Sequence, residues 1–198
     1  MTANESIGPT PRPGDALIVV DVQNDFLPGG SLAVPRGDDV VPVLNRYLET
    51  FGARGLPIFA TRDWHPANHC SFQQQGGPWP PHCVAGSQGA EFAAALKLTP
   101  QTKVVSKATT PELDAYSGFE GTDLDAQLKA KHVKRVFVGG LATDYCVLNT
   151  VRDALAREYQ VYLLIDGIRA IDPEDGRHAE EEMARLGATP TAVAQVVA

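Results

Sequence analysis

The sequence predicts an α/β fold, a parallel sheet covered on both faces by helices. Two features predict it. Short apolar runs rich in Val and Ile alternate with segments of helical period from one end of the chain to the other. No repeat, low-complexity stretch or linker divides that alternation.

The elements follow in order. Residues 16–23, ALIVVDVQ, form a continuous apolar run suited to a strand buried on both faces. Residues 38–55 read as a helix: Val40, Val41, Leu44, Tyr47, Leu48 and Phe51 fall at helical spacing, with Asp38 to cap and Gly55 to end it. LPIFATRD (56–63) is the second strand. Residues 64–89 are rich in Gly, Pro, Gln and His and show no period; so long a loop is often functional. TKVVSK (102–107) is a third strand, 123–133 a helix, and KRVFVGG (134–140) a fourth strand. A helix over 143–159 and a fifth strand over 160–166 follow, then a helix over 174–188 and a short sixth strand over 189–193. Residues 1–14 read as a flexible tail and 15–198 as one domain, long enough to bury a full core.

Composition narrows the function. The net charge of -7 disfavours nucleic acid and anionic membranes as partners. No apolar run approaches the ~20 residues of a membrane span. The N-terminus has no basic-then-apolar signal pattern, which points to the cytoplasm. Three cysteines, an odd and small number, argue against a disulfide framework and leave at least one thiol free.

In parallel sheets of this kind, ligands bind beyond the carboxyl ends of the strands. Asp21 lies near the end of the first strand, Asp63 and His65 at and after the second, Lys107 at the end of the third, and Cys146 just past the fourth. An acid, a lysine and a cysteine thus meet at one edge. Thr143 as N-cap would put Cys146 in the first helical turn, where the helix dipole favours thiolate. A cysteine nucleophile needs a base and a group to balance charge, and Asp21 and Lys107 are the candidates. The bland alternative, a buried structural cysteine, is the commoner fate of a lone thiol. The company of Asp21 and Lys107 outweighs it.

DWHPANH (63–69) and WPPHC (79–83) bring one carboxylate and three imidazoles into a single loop: Asp63, His65, His69 and His82. That donor set suits a divalent ion, zinc first, with iron or manganese as alternatives. The competing reading is a polar loop with solvated histidines. Phe26, Trp79 and Tyr116 place aromatic rings near these charged groups, which suits a flat ring substrate.

The stretches VVDVQNDFLPGGSLAV, TRDWHPANHCSF, WPPHC, SKATTPELDAYSGFEGT and VGGLATDYCVLNTVRDA together resemble the nicotinamidases of the isochorismatase-like cysteine hydrolases, in order over roughly residues 16–172. The resemblance implies a Rossmann-like parallel sheet of six strands. It implies hydrolysis of nicotinamide to nicotinate and ammonia in NAD salvage, with pyrazinamide also accepted. Carried over, the triad is Asp21, Lys107 and Cys146. The metal ligands are Asp63, His65 and His82, joined in some members by His69. The oxyanion hole uses the backbone N–H groups of Ala142 and Cys146, with a cis Leu141–Ala142 peptide. Phe26, Leu32, Trp79 and Tyr116 contact the ring. No catalytic position departs from the pattern. Homo-oligomerisation is left open. Two rivals remain: a sister amidase acting on a carbamoyl or ureido compound, and a metal-binding or redox-sensing thiol protein without turnover.

Overall fold

The computed structural model describes residues 9–196. The strands are β1 (Asp15–Val20), β2 (Ile58–Asp63), β3 (Lys103–Lys107), β4 (Arg135–Leu141), β5 (Gln160–Arg169) and β6 (Thr189–Thr191). The helices are α1 (Val40–Ala53), α2 (Leu124–Ala130), α3 (Leu148–Ala156), α4 (Pro173–Leu186) and α5 (Val193–Val196). The strands form one sheet in the order β3-β2-β1-β4-β5-β6. Every neighbouring pair is parallel.

β1 shows why both faces are covered. Leu17 and Val19 point into one core, with Leu44, Tyr47, Leu48 and Phe51 of α1. Ala16, Ile18 and Val20 point into the other, with Leu124 and Leu128 of α2, Val151 of α3 and Met183 of α4. Each fully buried Leu or Phe contributes about 1.5–3 kcal/mol, so the central strand is pinned from both sides. The reversal of strand order at β1 and β4 opens a crevice beyond their carboxyl ends, where such sheets hold ligands.

Two irregularities shape that crevice. The β4–β5 register shifts between Val138 and Gly140, which bends the end of β4. Gly140 sits at φ +132, where a Cβ would lie 2.0 Å from the Val20 carbonyl oxygen. Only glycine allows β4 to pass so close to β1 at that point.

The helix expected over 143–159 starts differently. Thr143–Val147 is a π-helical turn whose N-cap is Ala142, not Thr143, and α3 proper begins at Leu148. The helix expected from 38 begins at Val40, after a 3-10 turn over Gly37–Asp39, and Asp38 caps nothing. The fifth strand runs three residues longer than expected, to Arg169.

Residues 1–8 of the expected tail lie outside the described residues. The tail's remainder touches the domain. Arg135 donates to the Thr10 carbonyl (3.3 Å) and pairs through its guanidinium with the buried Asp15 (2.6 Å). Among the described residues no helix is long and apolar enough to cross a membrane.

Candidate active site

The carboxyl ends of four strands deliver the charged groups. Asp21 leaves β1 in a left-handed conformation (φ 49), which a non-glycine residue holds only where its surroundings enforce it. Thr61 Oγ donates to Asp21 Oδ1 at 2.7 Å. Lys107, the last residue of β3, is wholly buried and reaches across β2 toward β1. Its Nζ donates to Asp63 Oδ1 (2.5 Å) and the Ala115 carbonyl (3.0 Å). It also lies 3.0 Å from Asp21 Oδ2 and 3.5 Å from Cys146 Sγ. Asp21, Lys107 and Cys146 therefore meet where the topology put them, although 39 residues separate even the nearer pair in sequence.

Burial governs their protonation. Burial raises the Asp21 carboxyl above the ordinary range, against the opposing pull of Lys107. Burial alone would lower Lys107, but Asp21 and Asp63 outweigh it and hold the ammonium well above its usual value. Burial also pushes the Cys146 thiol up, with Lys107 opposing and Asp21 reinforcing. The expectation of a thiolate stabilised by the helix dipole is thus corrected. The thiol is buried, its turn is π-helical, and desolvation outweighs the dipole. The Cys146 sulfur accepts from the Lys107 ammonium at 3.5 Å, on the side that faces Asp21.

On the other side of Asp63 lies the imidazole cluster. His65 Nδ1 donates to the Ala108 carbonyl (3.3 Å) and His82 Nδ1 donates to the Pro80 carbonyl (2.8 Å). A carbonyl can only accept, so Nδ1 carries a proton in each ring, and Nε2 is the nitrogen left to bind a metal. Fixing the far nitrogen in this way is how proteins orient metal-binding histidines. Burial, reinforced by His82 and His69, pushes the His65 imidazole down to about 3, so it stays neutral. Donor atoms of Asp63, His65 and His82 all lie within 4.8 Å of one another. The three residues fit one divalent ion.

His69 behaves otherwise. Its ring lies 4.1 Å from that of His65. Its Nε2 donates to the Leu113 carbonyl (3.0 Å), leaving Nδ1 to accept from Ser71 Oγ (2.7 Å). Both ring nitrogens are engaged by protein groups, and His69 stands outside the donor set.

A pocket opens above these groups. Cys146 and Ala142 form its floor, and Phe26, Leu32, Trp79 and Tyr116 line its walls, beside Asp63, His65 and His82. The Leu141–Ala142 peptide is cis. Trp79 Nε1 donates to the Tyr116 hydroxyl at 3.0 Å, which joins the two walls.

Several contributors were missed in the sequence. Tyr145 lines the pocket and sets its ring edge-on to Trp79, with centroids 5.1 Å apart. Phe72 is fully buried and packs against all three cluster imidazoles, 5.5, 5.7 and 5.6 Å from His65, His69 and His82. Asp25 accepts from the Cys83 N–H (2.7 Å) and so holds the residue after His82. Gln23 spans Asp63: it accepts from the Asp63 N–H (2.8 Å) and donates to the Asp63 carbonyl (2.8 Å). Each sits in or beside the motif stretches, yet no periodicity marks its partner. Asp144 accepts from the Ile171 and Asp172 N–H groups, both at 3.1 Å, tying the π turn to the start of α4.

The chain matches the isochorismatase domain over residues 15–195. The nicotinamidase of Escherichia coli (strain K12) is 42% identical over 200 residues, covering 89% of this chain and 94% of its own. The pyrazinamidase of Pyrococcus horikoshii, solved in complex with zinc, is 51% identical with a TM-score of 0.89, over 91% of this chain and 99% of that one. A protein from L. infantum, solved in complex with nicotinate, is 37% identical with a TM-score of 0.90, over 96% and 98%. The fold, the strand-end constellation and a domain match that runs from β1 into α5 agree: the protein belongs to the isochorismatase family.

Proposed function

We propose that the protein is an amide hydrolase that converts nicotinamide to nicotinate and ammonia, accepts pyrazinamide, and thereby serves NAD salvage. One observation carries this reading. A buried Asp21–Lys107–Cys146 cluster lies beneath an aromatic pocket whose remaining wall is Asp63, His65 and His82. The similarity to nicotinamidases and to a nicotinate-binding structure supports it.

Asp63, His65 and His82 hold one divalent ion, and His69 positions the loop instead of coordinating. Zinc is the ion of choice: one carboxylate and two imidazoles suit it, and the Pyrococcus horikoshii relative was solved with zinc. When bound, the ion supplies a Lewis-acid contact for the ring nitrogen.

The chain's own residues perform the chemistry. Phe26, Trp79 and Tyr116 hold the ring so that the carboxamide faces Cys146. Asp21 takes the thiol proton as sulfur attacks the amide carbon. Burial raises the Asp21 carboxyl, which makes its carboxylate a stronger base toward the thiol than a solvated one. The Lys107 ammonium keeps its charge throughout and balances the carboxylate and thiolate. The N–H groups of Ala142 and Cys146 face the oxyanion, where one such donor is worth about 10²–10³ in rate. Asp21 returns the proton to the departing ammonia. It then acts as base for the water that hydrolyses the thioester.

The test is ammonia release from nicotinamide. Wild type turns over and Cys146→Ala falls to background while keeping its fold and bound metal. Turnover by Cys146→Ala at the wild-type rate would end the account.

A further inference from the structure

We propose that the Lys107 ammonium stands in the place of a second metal ion, holding the protein to one metal per chain and keeping metal off the Cys146 thiol. The inference rests on the reading that Asp63, His65 and His82 hold the first ion.

The surroundings of Nζ are those of a small cation in a four-donor cage. Asp63 Oδ1 lies at 2.5 Å, Asp21 Oδ2 and the Ala115 carbonyl at 3.0 Å, and Cys146 Sγ at 3.5 Å. These donors come from the end of β2, the exit of β1, the loop after β3 and the π turn, and all four residues are buried. Asp21, Asp63 and Cys146 place donor atoms within 4.8 Å of one another, a span that one ion can bridge. Bonds of ~2.0–2.3 Å to zinc would require the donors to close in by roughly 1 Å.

Two details favour a cation over a merely polar partner. Asp21 Oδ2, in a side chain with no solvent exposure, has no hydrogen bond among the described residues. Its contact with Nζ is ionic, and its lone pairs face the cage. Asp63 is also shared, with Oδ1 on Nζ and Oδ2 3.7 Å from His65 Nε2, on the metal side. A carboxylate divided between two cations is the arrangement expected of a two-cation site.

An ammonium has consequences a metal would not. It carries one charge, is tethered and cannot be exchanged. It donates only a hydrogen bond to the sulfur and takes no lone pair in a coordinate bond, so Cys146 remains free to attack. A thiophilic divalent ion in the same cage would take the sulfur lone pair and release the thiol proton to solvent, silencing the nucleophile.

The experiment uses two uncharged replacements of different reach, Lys107→Met and Lys107→Gln. Each protein is stripped with chelator, titrated with cadmium, desalted, and assayed for cadmium per chain and for ultraviolet thiolate-to-cadmium absorption. Wild type is expected to hold one cadmium with absorption unchanged in Cys146→Ala. The Lys107 variants are expected to hold two, with new absorption that disappears in the Lys107→Met/Cys146→Ala double variant. One cadmium per chain and no Cys146-dependent absorption in both variants would overturn the proposal. So would a loss of helical circular dichroism in both that a second equivalent of cadmium does not restore. Failure of the underlying reading looks different: wild type would bind no cadmium, or His82→Ala would still bind one.

Discussion

Gln23 offers a sharp test of how the fold controls Asp63. The Gln23→Leu variant keeps the volume of a fully buried side chain and removes its polar atoms. Three hydrogen bonds go with them: to the Asp63 N–H at 2.8 Å, the Asp63 carbonyl at 2.8 Å and the Ala90 carbonyl at 2.9 Å. A buried backbone group left without its partner costs about 1–3 kcal/mol. With partial relaxation, the three sum to on the order of 3–5 kcal/mol, a large share of a typical 5–15. For a chain of this size that lowers the melting temperature by about 10 °C. The loss falls at one place, the backbone that aims the Asp63 carboxylate at Lys107 on one side and His65 on the other. Metal affinity should therefore drop about 10–100-fold, the usual effect of disturbing a ligand's support. Thermal unfolding of the metal-free proteins and competition against a chromophoric chelator measure the two effects separately. A Gln23→Leu protein that melts within about 2 °C of wild type and binds metal equally well would refute the reasoning.

Three further outcomes follow from the same geometry. Trp79→Ala removes a pocket wall and the donor to Tyr116, so the KM for nicotinamide should rise about tenfold or more, as for the loss of a buried aromatic contact; a negligible change would favour a non-aromatic amide as substrate. Gly140→Ala drives a Cβ to 2.0 Å from the Val20 oxygen. It should cost more than ~4 kcal/mol, read as a collapse in soluble yield or denaturant midpoint. His69→Leu should leave one metal per chain with affinity near that of wild type, while protease sensitivity rises in the loop over 109–114; loss of the metal would make His69 a ligand after all.

The strands and helices were legible because apolar runs and helical spacing are local properties. β2, β3 and β6 each fall within two residues of the expected limits. The meeting of Asp21, Lys107 and Cys146 was legible because parallel topology gathers strand ends on one edge. What escaped depends on partners distant in sequence. His69 and His82 look alike in the chain, yet the carbonyl that engages His69 Nε2 belongs to Leu113, 44 positions on. Gln23 reads in the sequence as the last residue of the first strand, which in the structure ends at Val20, and its value lies in Asp63, 40 positions away. The π turn at Thr143–Val147 is too short for apolar spacing to separate from an α turn. The raised Cys146 thiol reflects enclosure by the whole fold, which local helix geometry does not reveal.

The long histidine loop carries one more consequence. It has almost no regular structure, yet isolated bridges pair His65 with Val84 and Phe72 with Trp79. Each bridge joins a residue that builds the site to the opposite limb of the loop, so the base of the loop is clamped. Gln73 still belongs to that clamp, its N–H donating to the Trp79 carbonyl at 2.7 Å, but the tip beyond it does not: Gln74, Gln75 and Gly76 are exposed. An exposed polar tip above a fixed base is a tolerant place to splice in foreign sequence. An epitope or a second domain grafted there would ride on the protein without disturbing the metal ligands.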